Sequence, residues 1–142
     1  MKYTERWWGD LRPGASRRYG AGVDRIFTVE EARAMMPAVR ERADEFVRMR
    51  GDLAELAQDL RDRGESERGG LPEVKALEAR LDEILGWFSA NGIEVKGIAP
   101  LLVDFPSVLD GISVRLCWLE GDRELGWYHR DELGFAGRRP LP

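Results

Sequence analysis

Residues 27–63 read "FTVEEARAMMPAVRERADEFVRMRGDLAELAQDLRDR" and predict one long helix. Thr28 followed three residues later by Glu31 is a capping box, in which each side chain bonds the other residue's backbone N–H. Apolar residues then recur in sevens, as in a coiled-coil seam. The seam positions are Ala32, Met35, Val39, Phe46, Met49, Leu53, Leu56 and Leu60. Pro37 lies inside the helix without a backbone donor, so we expect it to perturb the helix.

A second, shorter helix follows, with Pro72 in its first turn and Asn91-Gly92 at its end. The two helices predict an antiparallel hairpin over residues 28–91. At a rise of ~1.5 Å per residue they span roughly 54 Å and roughly 30 Å. The second helix therefore covers only the later half of the first, and the earlier half needs another partner.

The C-terminal third changes to a period of two, which predicts short strands. They are "IEVKG" (93–97), "LLVDF" (101–105), "ISVRLCWL" (112–119) and "ELGWYHR" (124–130). The predicted fold class is α+β: a long, coiled-coil-like helical hairpin, then a small antiparallel β-meander packed on the start of the first helix. Residues 27–142 form one domain, with the β-unit at 93–131 and an extended tail at 132–142. Residues 1–26 form an irregular arm.

Composition narrows the class of protein. The chain has 142 residues and a net charge of −4, with 43% hydrophobic residues, the size and composition of one globular domain. It has one cysteine and no run of ~20 apolar residues, so we expect a cytoplasmic protein without a membrane partner. The sequence contains no zinc spacing, phosphate-binding glycine loop or serine nucleophile elbow. The motifs of the sequence do not require a cofactor.

The single cysteine and single histidine lie in one predicted hairpin. A two-residue turn at Gly121-Asp122 places Val114 opposite His129 and Cys117 opposite Gly126. Because side chains alternate along a strand, Cys117 and His129 then point to opposite faces. That register argues against a Cys–His dyad or a metal held by both. Cys117 is interpreted as a packed core residue.

A candidate pocket lies between the start of the first helix and the β-unit, with Glu30, Asp104, His129 and Arg138 as its lining. His129 is interpreted as a half-buried residue whose partner is Glu30 or Glu31; roles as a metal ligand or a general acid–base stay open. Asp104 is an acid inside an apolar strand. It bonds a turn amide or Arg115, or it lines the pocket.

The N-terminal arm combines bases with aromatic residues: Trp7, Trp8, Arg17, Arg18 and Tyr19. Residues 1–26 hold six basic residues against three acidic ones, while the remainder is net acidic. This composition suits docking on a protein surface, its own or a partner's. It also suits stacking on single-stranded nucleic acid, which the acidic remainder disfavours.

Three segments carry a family resemblance: "FTVEEARAMMP" (27–37), "GIEVKGIAPLLVDFPS" (92–107) and "VRLCWLEGDRELGWYHRDELGFAGRRPL" (114–141). They resemble the bacterial and archaeal proteins grouped as domain of unknown function 2203. In that family a tryptophan usually stands directly before the histidine, whereas here Tyr128 follows Trp127. The resemblance implies no established activity. A site shared by the family would fall on Asp104, Cys117, Trp118, His129 and Arg138.

Three functional classes remain. The first is a small, non-enzymatic interaction or adaptor protein, whose partner is a second copy of itself or another protein; the long seam and the missing catalytic spacing favour it. The second is a metal- or small-ligand-binding protein, which could be an enzyme, with its site between the first helix and the β-unit. The third is a nucleic-acid- or ribosome-associated protein that binds through the arm.

Overall fold

A computed structural model describes residues 22–142 of the chain. The long helix α1 spans Val29–Arg63. Its capping box is present: the Glu31 N–H donates to Thr28 Oγ1 at 3.0 Å, and the Thr28 N–H donates to Glu31 Oε1 at 2.9 Å. Pro37 lies within α1 and does not end it. Gly64, with φ 75°, closes the helix in the left-handed conformation that favours glycine.

Helix α2 spans Leu71–Ala90 and stops before Asn91, as predicted. It packs against the later part of α1. The Arg80 guanidinium donates to both carboxylate oxygens of Glu45, at 2.9 and 2.7 Å. Arg42, which interrupts the apolar seam, lies 5.2 Å from the Trp87 ring centre. The seam between the helices is buried at Phe46, Leu53, Leu56, Val74, Leu81, Ile84 and Phe88.

A five-stranded antiparallel sheet follows, with its strands in chain order. The strands are β1 (Glu94–Ile98), β2 (Leu101–Leu109), β3 (Ile112–Leu119), β4 (Trp127–Arg130) and β5 (Arg139–Pro140). The predicted meander is confirmed. The tail differs from the extended segment predicted, because a 3₁₀ turn at Phe135–Gly137 precedes β5.

One face of the sheet covers the front of α1, as the difference in helix length required. Phe27, just before the helix, packs its ring edge-on to Phe105 with centres 5.2 Å apart, and its N–H donates to the Pro106 carbonyl at 2.7 Å. The apolar residues of this face join the core residues of α1. They are Val103, Phe105, Val114, Leu116 and Trp118. The predicted α+β class is confirmed.

The register of the β3–β4 pair was predicted wrongly. Arg115 lies opposite His129 and Cys117 lies opposite Trp127, one residue away from the predicted alignment. Residues 120–126 form a connection longer than the predicted two-residue turn, and within it Glu120 and Asp122 bind residues outside the connection. Glu120 bonds Arg50 of α1, and Asp122 accepts the Leu119 N–H and pairs with Arg138. A shift of one residue moves side chains to the other face, so Cys117 and His129 share a face.

No helix within residues 22–142 is both long enough and apolar enough to cross a membrane. The arm residues Trp7, Trp8, Arg17, Arg18 and Tyr19 lie outside the described residues. The protein-docking and nucleic-acid-binding roles proposed for the arm stay predictions.

Candidate metal centre

Three potential metal ligands converge on the sheet face that points away from the helices. Asp104 of β2 lies directly opposite Cys117 of β3, and His129 follows on β4. All three are buried, with exposed fractions of 2%, 0% and 4%. One ligand atom from each, a carboxylate oxygen, the Sγ and a ring nitrogen, lie within 4.8 Å of one another. Three adjacent strands therefore bring oxygen, sulfur and nitrogen donors to one point.

Both ring nitrogens of His129 have partners. Nδ1 lies 2.9 Å from the Arg130 carbonyl oxygen, and Nε2 lies 3.1 Å from Asp104 Oδ2. A carbonyl oxygen only accepts, so Nδ1 carries a proton. In neutral imidazole Nε2 would then present a lone pair to a carboxylate lone pair. Without an ion, the contact requires a proton between them. The hydrogen bond to Asp104 accordingly raises the pKa of His129, although burial opposes the shift.

Asp104 has unused capacity to bind a ligand. Its Oδ2 atom faces His129, while its Oδ1 atom is buried and finds no hydrogen-bond partner in the part of the chain that the structure describes. A buried carboxylate oxygen without a partner is destabilising by about 1–3 kcal/mol or more. The sheet thus holds a strong acceptor beside the Cys117 thiol, at a place where an incoming group could satisfy it.

Cys117 is a thiol when no metal is bound. Burial, followed by the negative charge of Asp104, raises the pKa of Cys117 to about 12. The thiol is then protonated at neutral pH and is a poor nucleophile. A divalent ion reverses this preference, since a coordinating thiol loses its proton outright. The environment suits a metal ligand better than a free nucleophilic cysteine.

A cleft of about 550 Å³ opens beside the three residues. Its polar floor contains Asp104 and His129, and the pairs Arg115–Glu94 and Arg115–Asp131, each at 2.9 Å, hold one of its sides. Apart from Lys96, the rest of its lining is apolar. It comes from the turn between β1 and β2, from the ends of β2 and β3, and from the segment after β4, through Ala99, Pro100, Leu102, Leu119, Gly134 and Phe135.

Arg138 closes the side of the cluster next to Cys117. Its guanidinium pairs with Asp122 and lies 4.6 Å from the Trp127 ring centre and 5.2 Å from that of Phe135. Trp127 is the strand partner of Cys117. The tail therefore brings a positive charge close to the position where a thiolate would form.

The structure brings together some of the residues predicted for the pocket and separates others. Asp104 and His129 are hydrogen-bonded, and Arg138 lies near Cys117. Glu30 is exposed on the first turn of α1, which packs on the opposite face of the sheet. His129 pairs with Asp104. The prediction that His129 binds Glu30 or Glu31 was therefore wrong, and so was the prediction that Asp104 binds Arg115 or a turn amide. Trp118 lies on the core face.

The register predicted from the sequence excluded Cys117 from the site, although the family resemblance included it. Sequence reasoning missed Lys96, Arg115 and Asp131, which line the cleft. The signal was present in part: ionisable or sulfur-bearing residues alternate with apolar ones in β1 (Glu94, Lys96) and β3 (Arg115, Cys117), while β2 contributes Asp104 alone. That alternation indicates a second, polar face of the sheet.

Comparison with known proteins agrees with the resemblance seen in the sequence. The model of the family described as "Uncharacterized conserved protein (DUF2203)" matches residues 25–141, most of the chain. Neither the curated proteins nor the solved structures contain a significant match.

Proposed function

Since the chain belongs to the DUF2203 family of uncharacterised conserved proteins, we propose its function from geometry: it binds a divalent transition metal through Asp104, Cys117 and His129. The convergence of these three buried side chains is the observation that supports the proposal. It replaces the arrangement expected from the sequence, in which the thiol and the imidazole diverged.

The donor distances fit one small ion. With metal–nitrogen and metal–oxygen bonds of about 2.0–2.1 Å, two ligands of a tetrahedral ion lie about 3.3 Å apart, and a sulfur lies about 3.6 Å from either. His129 Nε2 and Asp104 Oδ2 are 3.1 Å apart, and the three donors lie within 4.8 Å. The nitrogen and the oxygen would separate by about 0.2 Å to hold the ion, and the Cys117 sulfur would move inward by as much as about 1.2 Å. Mixed N, O and S donors favour Zn²⁺ or a similar transition metal over Mg²⁺ or Ca²⁺.

The hydrogen bond of His129 to the backbone supports this assignment. A histidine that ligates through Nε2 commonly donates its Nδ1–H to a carbonyl, which fixes the tautomer and the ring orientation. Here the Arg130 carbonyl accepts that bond at 2.9 Å. A cation between Nε2 and Asp104 would replace the proton that their contact otherwise requires.

Three protein ligands beside a cleft indicate an open coordination position. Structural zinc sites use four protein ligands, whereas catalytic sites use three and leave one position for water or substrate. Asp104 and His129 line the cleft directly. We therefore infer metal-dependent binding of a small molecule, and metal-activated water is the chemistry that such a site allows.

The test is metal titration of the metal-free, full-length protein. One equivalent of Co²⁺ should bind and produce the near-ultraviolet charge-transfer band of a cobalt–thiolate bond, and Zn²⁺ should displace it. Cys117→Ser should abolish the band, and Asp104→Asn should weaken binding by about 100-fold or more. Asp110→Asn, the same substitution in the exposed β2–β3 turn, is the control. Equal affinity of the Asp104 and Asp110 variants would rule out the site.

The alternative function, a homodimeric adaptor protein, has less support from the structure than the apolar seam in the sequence suggested. Most seam residues of the two helices are buried within the chain, against each other and against the sheet, while Met35, Met49, Leu60 and Leu77 are half-buried. A coiled-coil seam that is largely covered does not require a second copy. An interaction role through other surfaces stays a prediction.

A further inference from the structure

We propose that the cleft binds a small organic monocarboxylate, whose carboxylate takes the open position of the metal and whose apolar body packs on the cleft walls. This inference rests on the metal centre proposed above. It adds the chemical class of the ligand, which three features of the cleft support: its size, its apolar walls and the state of its charged groups.

The size and the walls indicate an organic ligand larger than a simple ion. A volume of about 550 Å³ lies within the range of small-molecule sites, roughly 300–1,000 Å³. Pro100, Leu102 and Phe135, the last with 46% of its surface exposed, contribute apolar surface to the lining. An apolar group packed on these residues would lose contact with water.

The charged groups of the cleft differ in how firmly they are held. Arg115 is fixed between two carboxylates, Glu94 and Asp131, each at 2.9 Å. Asp131 is held in turn by the Ser113 hydroxyl at 2.6 Å. Within residues 22–142, the ion pair of Lys96 is with an oxygen of Glu94 that Arg115 already uses, at 3.3 Å, and 44% of the Lys96 side chain is exposed. The Lys96 ammonium thus retains donors for a ligand.

The charge of the metal centre favours a monoanion over a dianion. A divalent ion bound by the Asp104 carboxylate and the Cys117 thiolate forms a neutral centre. One additional negative charge can then pair with the Lys96 ammonium, whose own partner Glu94 is shared with Arg115. A phosphate dianion would bring a second charge close to Asp104 and Asp131. A carboxylate also supplies the hard oxygen donor that completes a tetrahedral zinc site.

The test uses three matched probes on the full-length protein loaded with one equivalent of Co²⁺. Phenylacetate has both the carboxylate and an apolar body, acetate has only the carboxylate, and 2-phenylethanol has only the body. Phenylacetate should change the visible Co²⁺ spectrum and bind about tenfold or more tightly than either other probe. In the Phe135→Ala variant, phenylacetate should lose most of its affinity advantage over acetate.

Lys96→Met should weaken the binding of phenylacetate about fivefold and leave the affinity for Co²⁺ unchanged. Lys75→Met, on the exposed surface of α2, should change neither. If Co²⁺ binds but phenylacetate binds no more tightly than acetate, or 2-phenylethanol binds as tightly, the ligand class is wrong and the metal centre stands. If Co²⁺ does not bind, both proposals fail.

Discussion

Arg115 lies opposite His129 in the β3–β4 pair, and this relationship creates the candidate metal centre. It places Cys117, two residues further along β3, on the same face as the imidazole. The opposite alignment, with Val114 facing His129, would turn the imidazole into the apolar core. The chemistry available to the protein therefore depends on a register difference of one residue.

The register should depend on Asp122. Its carboxylate accepts the Leu119 N–H at 3.0 Å and pairs with Arg138, which ties the β3–β4 connection to the tail. Asp122→Ala should lower the free energy of unfolding by about 1.5–3 kcal/mol, because it removes bonds to a charged acceptor. It should also weaken Co²⁺ binding. Urea denaturation measures the first effect; Glu124→Ala, exposed in the same connection, is the control and should change little.

Asp104 should stabilise the metal-free protein as well as bind metal. Asp104→Ala leaves a buried imidazole without its 3.1 Å partner, so we expect a loss of about 3–5 kcal/mol in the free energy of unfolding. Asp131→Ala removes a carboxylate from an ion pair nearer the surface, so the free energy of unfolding should fall by about 1 kcal/mol or less. Denaturation in the presence of a chelator measures both. Similar losses in the two variants would contradict a buried, coupled pair.

The ion pair between α1 and the sheet should make stability depend on acid pH. The hydrogen bonds from Arg50, at 2.6 and 2.9 Å, lower the pKa of Glu120 below its ordinary value of 4.5, and burial opposes the shift. A lowered carboxyl pKa stabilises the fold above the unfolded-state value and loses this effect as the pH falls through the folded-state value. Glu120→Gln should therefore be less stable than wild type at pH 7, by about 1–2 kcal/mol.

The difference between wild type and Glu120→Gln should shrink as the pH falls below about 4.5. Urea denaturation at a series of pH values measures it. Glu132→Gln, in an exposed pair with Arg130, is the control and should show little pH-dependent difference from wild type. A difference for Glu120→Gln that stays constant down to pH 3 would contradict the pKa shift.

The capping box should contribute measurably to the stability of α1. Thr28→Ala removes the acceptor of the Glu31 N–H and should lower the free energy of unfolding by about 1 kcal/mol. Thr28→Ser retains a hydroxyl acceptor and should remain close to wild type. Thermal denaturation followed by circular dichroism at 222 nm compares the two. Equal destabilisation by alanine and serine would point to the lost methyl group instead of the cap.

Local signals in the sequence were sufficient to predict both helices and the strands β1 to β4, whereas the 3₁₀ turn and β5 of the tail were not predicted. The capping box at Thr28 and the Asn91-Gly92 pair mark helix ends through bonds and backbone conformations that involve only neighbouring residues. The difference in helix length then required the sheet to cover the front of α1. These inferences succeeded because helix periodicity, caps and chain length act within or between adjacent elements.

The candidate site was decided by tertiary contacts. A period-two pattern shows that side chains alternate, but it leaves the pairing of two strands to their turn, and the predicted turn assumed that Glu120 faces Arg123. In the fold Glu120 instead bonds Arg50, 70 residues earlier, and Asp122 bonds Arg138, 16 residues later. The sequence by itself determined which elements form and that they must pack. The long-range ion pairs, which no local rule contains, decided that Asp104, Cys117 and His129 meet.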